Sequence, residues 1–180
     1  MITKSLESPL YWSLLQVDHW SIHIAASTRG LCYVGSHGLP FAELNAWAGR
    51  SFPGYSLIED EARMRPYSEE LSRYLRGELA CFNLPLDAPG TVFQREVWQA
   101  LVEIPYGCTE SYSGIARKIS KSSAVRAVGA AIGANPLLIV IPCHRVIGKN
   151  GALTGYRGGL DMKARLMKLE QDHEIKAGAI

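Results

Sequence analysis

Cys143 and His144 stand side by side in the segment Ile141-Pro142-Cys143-His144-Arg145-Val146, directly after the apolar run Leu137 to Ile141. A thiol with an imidazole beside it has the parts of a nucleophile and its base. A free cysteine with a pKa near 8.5 is only about 3% thiolate at pH 7. A neighbouring imidazole and basic surroundings lower that pKa and supply the reactive form. His144 can take the proton directly or through one water, since successive residues of an extended chain point to opposite sides. A carboxylate then fixes the imidazole tautomer, as the third member of a catalytic triad does. Glu170, at the margin of the apolar face of the last helix, is placed to turn inward and be that carboxylate. Cys/His/Glu fits two chemistries, a thiol hydrolase or a thiol that itself accepts a group. A buried cysteine beside a surface histidine is the bland alternative for the dipeptide alone.

The surroundings favour chemistry on a polyanion. Residues 111 to 149 contain Arg117, Lys118, Lys121, Arg126, Arg145 and Lys149 and no Asp or Glu. Residues 1 to 89 carry 7 Lys/Arg against 10 Asp/Glu, a balance of −3, while residues 90 to 180 carry 12 against 7, a balance of +5. That asymmetry points to a nucleic-acid or phosphate partner for the second half. Solvated helix faces would account for the net charge alone.

A chain of 180 residues with 47% hydrophobic and 20% charged residues is long enough for a real core and has the composition of a soluble globular protein. No apolar run has the length of a signal peptide core or a membrane span, so a cytoplasmic protein without membrane contact is expected. Cys32, Cys81, Cys108 and Cys143 are scattered without metal-ligand spacing; free thiols are expected, with Cys32 and Cys81 in the core.

The elements that must position the cysteine follow from periodicity. Tyr11 to Val17, Trp20 to Ala25 and Leu31 to Val34 alternate like strands of an antiparallel sheet, separated by Asp18-His19 and Thr28-Arg29-Gly30 turns. Phe41 to Ala48 and Glu59 to Leu75 read as helices, and Cys81 to Leu86 as a further strand. The turn-rich Asp87-Ala88-Pro89-Gly90, where the charge balance changes sign, predicts a boundary between domains 1–89 and 90–180. Thr91 and Gln94 fit a capping box opening a helix that buries Phe93, Val97, Ala100, Leu101 and Ile104. Helices over 113–119 and 124–134, the second with Ser123 as its cap, make a helix-turn-helix pattern. The second packs with Val125, Val128 and Ile132 and turns Arg126, Gly129, Ala130 and Gly133 to another side. Glycine costs about 1 kcal/mol in a helix relative to alanine, so a face with two of them suggests close approach by a partner, or else tight helix packing. A strand over 137–141, a glycine-rich hairpin or wing over 148–155 and a last helix over 160–170 complete the reading.

Pro142-Cys143-His144-Arg145-Val146 with Ile147-Gly148, preceded by Gly133-Ala134-Asn135-Pro136, closely resembles the active-site signature of the O-6-alkylguanine-DNA alkyltransferases. The resemblance extends through residues 91–98, Ile104-Pro105-Tyr106-Gly107, Ser111-Tyr112, Arg126-Ala127-Val128-Gly129 and Leu153-Thr154-Gly155-Tyr156, densely over 91–170 and loosely before. It implies an α/β (α+β) architecture: a small ribonuclease-H-like sheet domain, then a mainly helical, winged helix-turn-helix-like domain. By the same resemblance Cys143 accepts the alkyl group, His144 is its base through a water, Glu170 orients His144, and Asn135 braces the turn. Tyr112 would hydrogen-bond the flipped guanine and help protonate it. The main chain around Cys143 and Val146 would read the guanine edge, Tyr156 would line the pocket, and Arg157 would limit its room. Arg126 would enter the base stack in place of the extruded nucleotide. Ser123, Ala127, Gly129 and Ala130 would lie along the minor groove, with Lys118 and Lys121 on phosphates.

The implied partner is double-stranded DNA bearing O-6-alkylguanine, and alkylated thymine is left open. The implied protein is a monomer needing no cofactor, metal or obligate protein partner, and it is consumed by one transfer. A lesion-binding module without chemistry would lack the acceptor thiol, which is present; a thiol hydrolase would have no use for the acid-free basic stretch.

Overall fold

The computed structural model describes residues 8–177. Strands β1 (Pro9–Val17), β2 (Trp20–Ser27) and β3 (Gly30–Val34) form the expected antiparallel meander. Alternation sends Leu15, Val17, Trp20, Ile22 and Ile24 to one face of the sheet and Leu10, Ala25 and Tyr33 to the other. Helix α1 (Phe41–Ser51) covers the second face with Leu44 and Ala48. Helix α2 (Glu61–Leu75), capped by the Asp60 carboxylate, covers the first with Met64, Leu71, Tyr74 and Leu75.

Three features of this half depart from the pattern-based reading. Residues Ser56–Glu59 form strand β4, parallel to β1 at the sheet edge, where the sequence suggests only the start of a helix. An edge strand solvated on one side carries little apolar alternation to betray it. The expected strand Cys81–Leu86 is an extended segment that joins the sheet only at Leu86, through an isolated bridge to Leu31. Gly30 permits that approach, since a Cβ there would stand 2.4 Å from the Pro85 carbonyl oxygen. With no partner strand to cover it, Cys81 is exposed rather than in the core, whereas Cys32 is buried.

The second half is mainly helical. Helix α3 (Val92–Val102) opens with the predicted capping box: Thr91 Oγ1 accepts the Gln94 N–H and the Gln94 side chain accepts the Thr91 N–H. Its Val97 and Leu101 are fully buried. A two-residue parallel ladder joins β5 (Glu110–Ser111) to β6 (Val146–Ile147). Helices α4 (Tyr112–Lys118) and α5 (Val125–Gly133) are the helix-turn-helix pair. The first ends with Ser120 in the left-handed region at φ +57°, and Lys121 N–H donates back to Ala116 at 2.8 Å. Ser123 does not cap the second. Ala124 N–H closes on the Lys121 carbonyl at 2.8 Å, so the helix starts one residue later, and its N-cap Ala124 has no side-chain bond.

Residues 148–155 form a turn closed by Gly148 N–H on the Ala152 carbonyl at 2.9 Å, without the strand pairing of a hairpin. The final helix α6 (Leu160–Ala177) packs Met162 and Leu166 inward. One continuous core unites the halves: Ile24, Val34 and Leu71 belong to the same buried cluster as Val97, Leu101, Ile132 and Leu137. Among the described residues no helix is long and apolar enough to cross a membrane.

Candidate active site

The segment that delivers Cys143 is not a strand. Residues 137–141 are buried but doubly turned: Ile141 N–H bonds the Leu137 carbonyl at 3.0 Å, and Ile139 sits at φ +73°. For a β-branched residue that conformation costs on the order of 1–3 kcal/mol and persists only where surroundings impose it. Asn135 imposes it. Its Oδ1 accepts the Leu137 N–H at 2.9 Å, and its Nδ2 donates to the Ile141 carbonyl at 2.9 Å and to Cys143 Sγ at 3.1 Å. One buried amide thus shapes the loop and touches the sulfur. Cys143, His144 and Arg145 then form a single 3-10 turn, all three buried.

His144 and Glu170 meet inside the protein. His144 Nε2 lies 2.8 Å from Glu170 Oε1, and both side chains are buried. Burial alone would raise the Glu170 pKa, but hydrogen bonds from His144 and Arg145 outweigh it and hold the carboxyl down to about 2. An ionised carboxylate only accepts, so Nε2 carries the ring proton and Nδ1 offers its lone pair. Nδ1 is buried and has no hydrogen-bond partner among the described residues. Burial holds the His144 pKa below its ordinary value, so the ring is neutral and basic at the atom left open.

The thiol differs from its expected state. Burial pushes the Cys143 pKa up, against the lowering effects of the Asn135 hydrogen bond, Arg157 and Lys163. Its 3% exposure is the reason: basic neighbours cannot compensate for lost water at a buried sulfur. The resting group is therefore a thiol, and a base is required.

The remaining expected residues surround this centre. Tyr156 is half-buried; its hydroxyl is enclosed without a hydrogen-bond partner among the described residues, and the charge of Cys143, when ionised, adds to the burial that raises its pKa. Tyr112 donates its hydroxyl to the Thr154 carbonyl at 2.9 Å. Val146 is fully buried and its carbonyl accepts from Lys163 Nζ. Arg157 does not turn its guanidinium on a pocket. Nε donates to the Asn135 carbonyl at 3.1 Å, Nη2 to Val34 at 2.8 Å, and Nη1 pairs with Glu43 at 3.2 Å. The Asn135 carbonyl ahead of the turned segment and the Val34 carbonyl of β3, which also accepts the Leu138 N–H at 3.4 Å, draw it into the junction between the halves.

On α5, Arg126, Ala127 and Ala130 are exposed, and Val128 and Ile132 are buried. Among the described residues, no atom outside its own helix lies within 4 Å of a Cβ added at Gly133, and one at Gly129 would meet only the Tyr112 ring at 3.8 Å. Tight helix packing therefore does not explain the small face. Residues Ser123 to Ala127 line a surface concavity at the start of the helix. Lys118 is exposed, but Lys121 is engaged by Glu96 at 2.6 Å, in addition to lying over the Phe93 ring. A carboxylate from α3 supplies the counter-charge that the acid-free stretch itself lacks.

Two buried residues near the centre, Tyr74 and Lys163, carried no sequence signal, and a third, Arg145, was marked only by the basic stretch and the signature. Tyr74 of α2 donates its hydroxyl to Glu170 Oε1 and lies 3.2 Å from His144 Nε2. Arg145 clasps Glu170, with Nε at 3.0 Å from Oε2 and Nη2 at 2.9 Å from Oε1. Lys163 is fully buried and donates to the carbonyls of Val146 and Thr154. A tyrosine and a lysine on amphipathic helices read as packing or solvated residues, and only the folded arrangement distinguishes them.

Similarity to known proteins covers both halves of the chain. The family model described as 6-O-methylguanine DNA methyltransferase, ribonuclease-like domain, matches residues 10–88. That of the 6-O-methylguanine DNA methyltransferase, DNA binding domain, matches residues 92–172. The chain is 56% identical over 162 residues to the inducible methylated-DNA–protein-cysteine methyltransferase of Bacillus subtilis, covering 90% of each. It is 42% identical to the methylated-DNA–protein-cysteine methyltransferase of Methanosarcina acetivorans, covering 89% of this chain and 98% of the relative. Among solved structures, Mycobacterium tuberculosis OGT in complex with DNA superposes with a TM-score of 0.76 at 34% identity, covering 92% of this chain and 94% of that one.

Proposed function

The chain belongs to the 6-O-methylguanine DNA methyltransferase family, and from that premise we propose that it repairs DNA by moving the alkyl group of O-6-alkylguanine onto its own Cys143. The observation that carries the assignment of residues is the Asn135–Cys143 and His144–Glu170 arrangement. It presents one sulfur on a braced turn beside a neutral imidazole whose basic nitrogen is free.

The O-6 alkyl group is enclosed by the duplex, so the nucleotide must first leave the stack at a cost of a few kcal/mol. Arg126, exposed on α5, fills the gap and offsets part of that cost. The small face of Gly129, Ala130 and Gly133 lets α5 lie against the backbone, with Lys118 on a phosphate. Lys121 joins it by exchanging Glu96 for phosphate. Because Cys143 is 3% exposed, base entry requires the residues over the sulfur to move, and Tyr112 exchanges the Thr154 carbonyl for the guanine.

His144 Nδ1 then takes the thiol proton, directly or through a water, and the imidazolium is stabilised by Glu170. The sulfur attacks the alkyl carbon; the carbon–oxygen bond breaks, and guanine leaves as its anion, protonated with help from Tyr112. A thioether remains that water does not cleave, so each molecule acts once. A monomer on duplex DNA suffices for this cycle. Label from a duplex carrying labelled O-6-methylguanine should enter the protein to one equivalent and not at all in Cys143→Ala. Repeated turnover, or labelling that survives that substitution, would contradict the proposal.

A further inference from the structure

We infer that Tyr74, carried into the centre by α2 of the first half, is a positioning residue for the transfer, its hydroxyl holding Glu170 against His144. The inference rests on the alkyl-transfer reading above. Tyr74 is fully buried at the end of α2, and its ring packs against Phe82 and Tyr106 at centroid distances of 5.2 and 5.9 Å. Those contacts fix where the hydroxyl points. It donates to Glu170 Oε1, the same oxygen that faces His144 Nε2, and stands 3.2 Å from that nitrogen. Arg145 and the Gly107 N–H complete the set on Glu170 from other directions. The carboxylate therefore cannot rotate away from the imidazole without breaking bonds to three different segments.

Around Tyr74 the titratable and charged groups are Glu170, His144, Arg145 and Tyr106; around the sulfur they are Lys163, Arg157 and Tyr156. Burial and the Glu170 charge hold Tyr74 protonated, so it remains a donor as pH rises. The sheet half thus completes the acid–base apparatus of the helical half instead of only supporting it.

The test is the rate of methyl transfer against pH for the wild type and Tyr74→Phe, with duplex affinity measured alongside. A hydrogen bond to a charged group is lost, so the variant should react about tenfold more slowly near neutral pH. Its deficit should narrow as pH rises, because hydroxide then removes the thiol proton without His144; DNA affinity should not change. No deficit, or one constant across pH, would overturn the inference while the alkyl-transfer reading stands. A wild type that forms no adduct would overturn both. Should Tyr74→Phe not fold, the Tyr74 hydroxyl proton of the wild type is read by NMR. Protection from exchange would support the bond to Glu170, and free exchange would refute it.

Discussion

Asn135 Nδ2 reaches Cys143 Sγ at 3.1 Å while the same side chain bonds Leu137 and Ile141, so one amide both builds the turn and touches the nucleophile. Asn135→Ala removes all of these contacts and leaves the buried N–H of Leu137 unpaired. An unsatisfied buried group costs about 1–3 kcal/mol. Denaturant unfolding should show a loss of that order, together with strongly reduced transfer. Unimpaired transfer would separate the loop's shape from the chemistry.

Glu170→Gln should slow transfer by about 10- to 100-fold, because a neutral amide neither enforces the Nε2–H tautomer nor stabilises the imidazolium. The pH dependence of stability should change too. The folded Glu170 pKa, about 2, lies below its ordinary value of 4.5, so its contribution is present above 4.5 and lost as pH falls towards 2. His144, also lowered, acts in the same direction from its ordinary value of 6.5 downwards. Unfolding measured between pH 7 and 2 should show wild-type stability falling throughout. The Gln variant should lack the lower limb; an identical acid limb would exclude Glu170 as its source.

Arg126→Ala should reduce repair in duplexes about tenfold more than in single strands, since only the duplex charges for extrusion. Equal losses on both substrates would rule out a stack-filling role. Thermal stability should not move, the side chain being exposed.

Gly133→Leu should leave the fold intact or slightly more stable, because nothing among the described residues outside its helix stands within 4 Å of an added Cβ and glycine weakens a helix by about 1 kcal/mol. DNA affinity should fall, as the longer side chain holds α5 off the backbone. Calorimetry and a duplex titration at one salt concentration read the two effects separately; unchanged affinity would remove this face from the interface.

Arg157→Ala tests the junction. Its guanidinium serves the carbonyls of Asn135 and Val34 and pairs with Glu43, partners drawn from both halves. A loss of about 1–3 kcal/mol is expected from the Asn135 carbonyl left unpaired, since Val34 keeps the Leu138 N–H. A variant of wild-type stability would show that water replaces the arginine without cost.

The parts of this protein that repeat a local rule were legible in its residues. Period-two alternation marked β1 to β3, and Thr91 with Gln94 marked the start of α3 to the residue. The nucleophile stood out by type and neighbours. What was not legible depends on distance along the chain. Leu137 to Ile141 reads as a strand because its residues are apolar and the last three are β-branched, yet Asn135 bends it. Tyr74 joins Glu170 across 96 residues, and no local pattern records that meeting. The resting protonation of Cys143 departs from expectation for the same reason: neighbours in sequence are basic, but burial, a property of the fold, decides.

Intact-mass spectrometry of the protein after mixing with duplex DNA, with and without O-6-methylguanine, addresses the central claim most directly. One added methyl mass per molecule, located on the Cys143 peptide and absent with the unmethylated duplex, is the predicted result. Folded, DNA-binding protein that stays unmodified, or carries its methyl on another residue, would contradict the account.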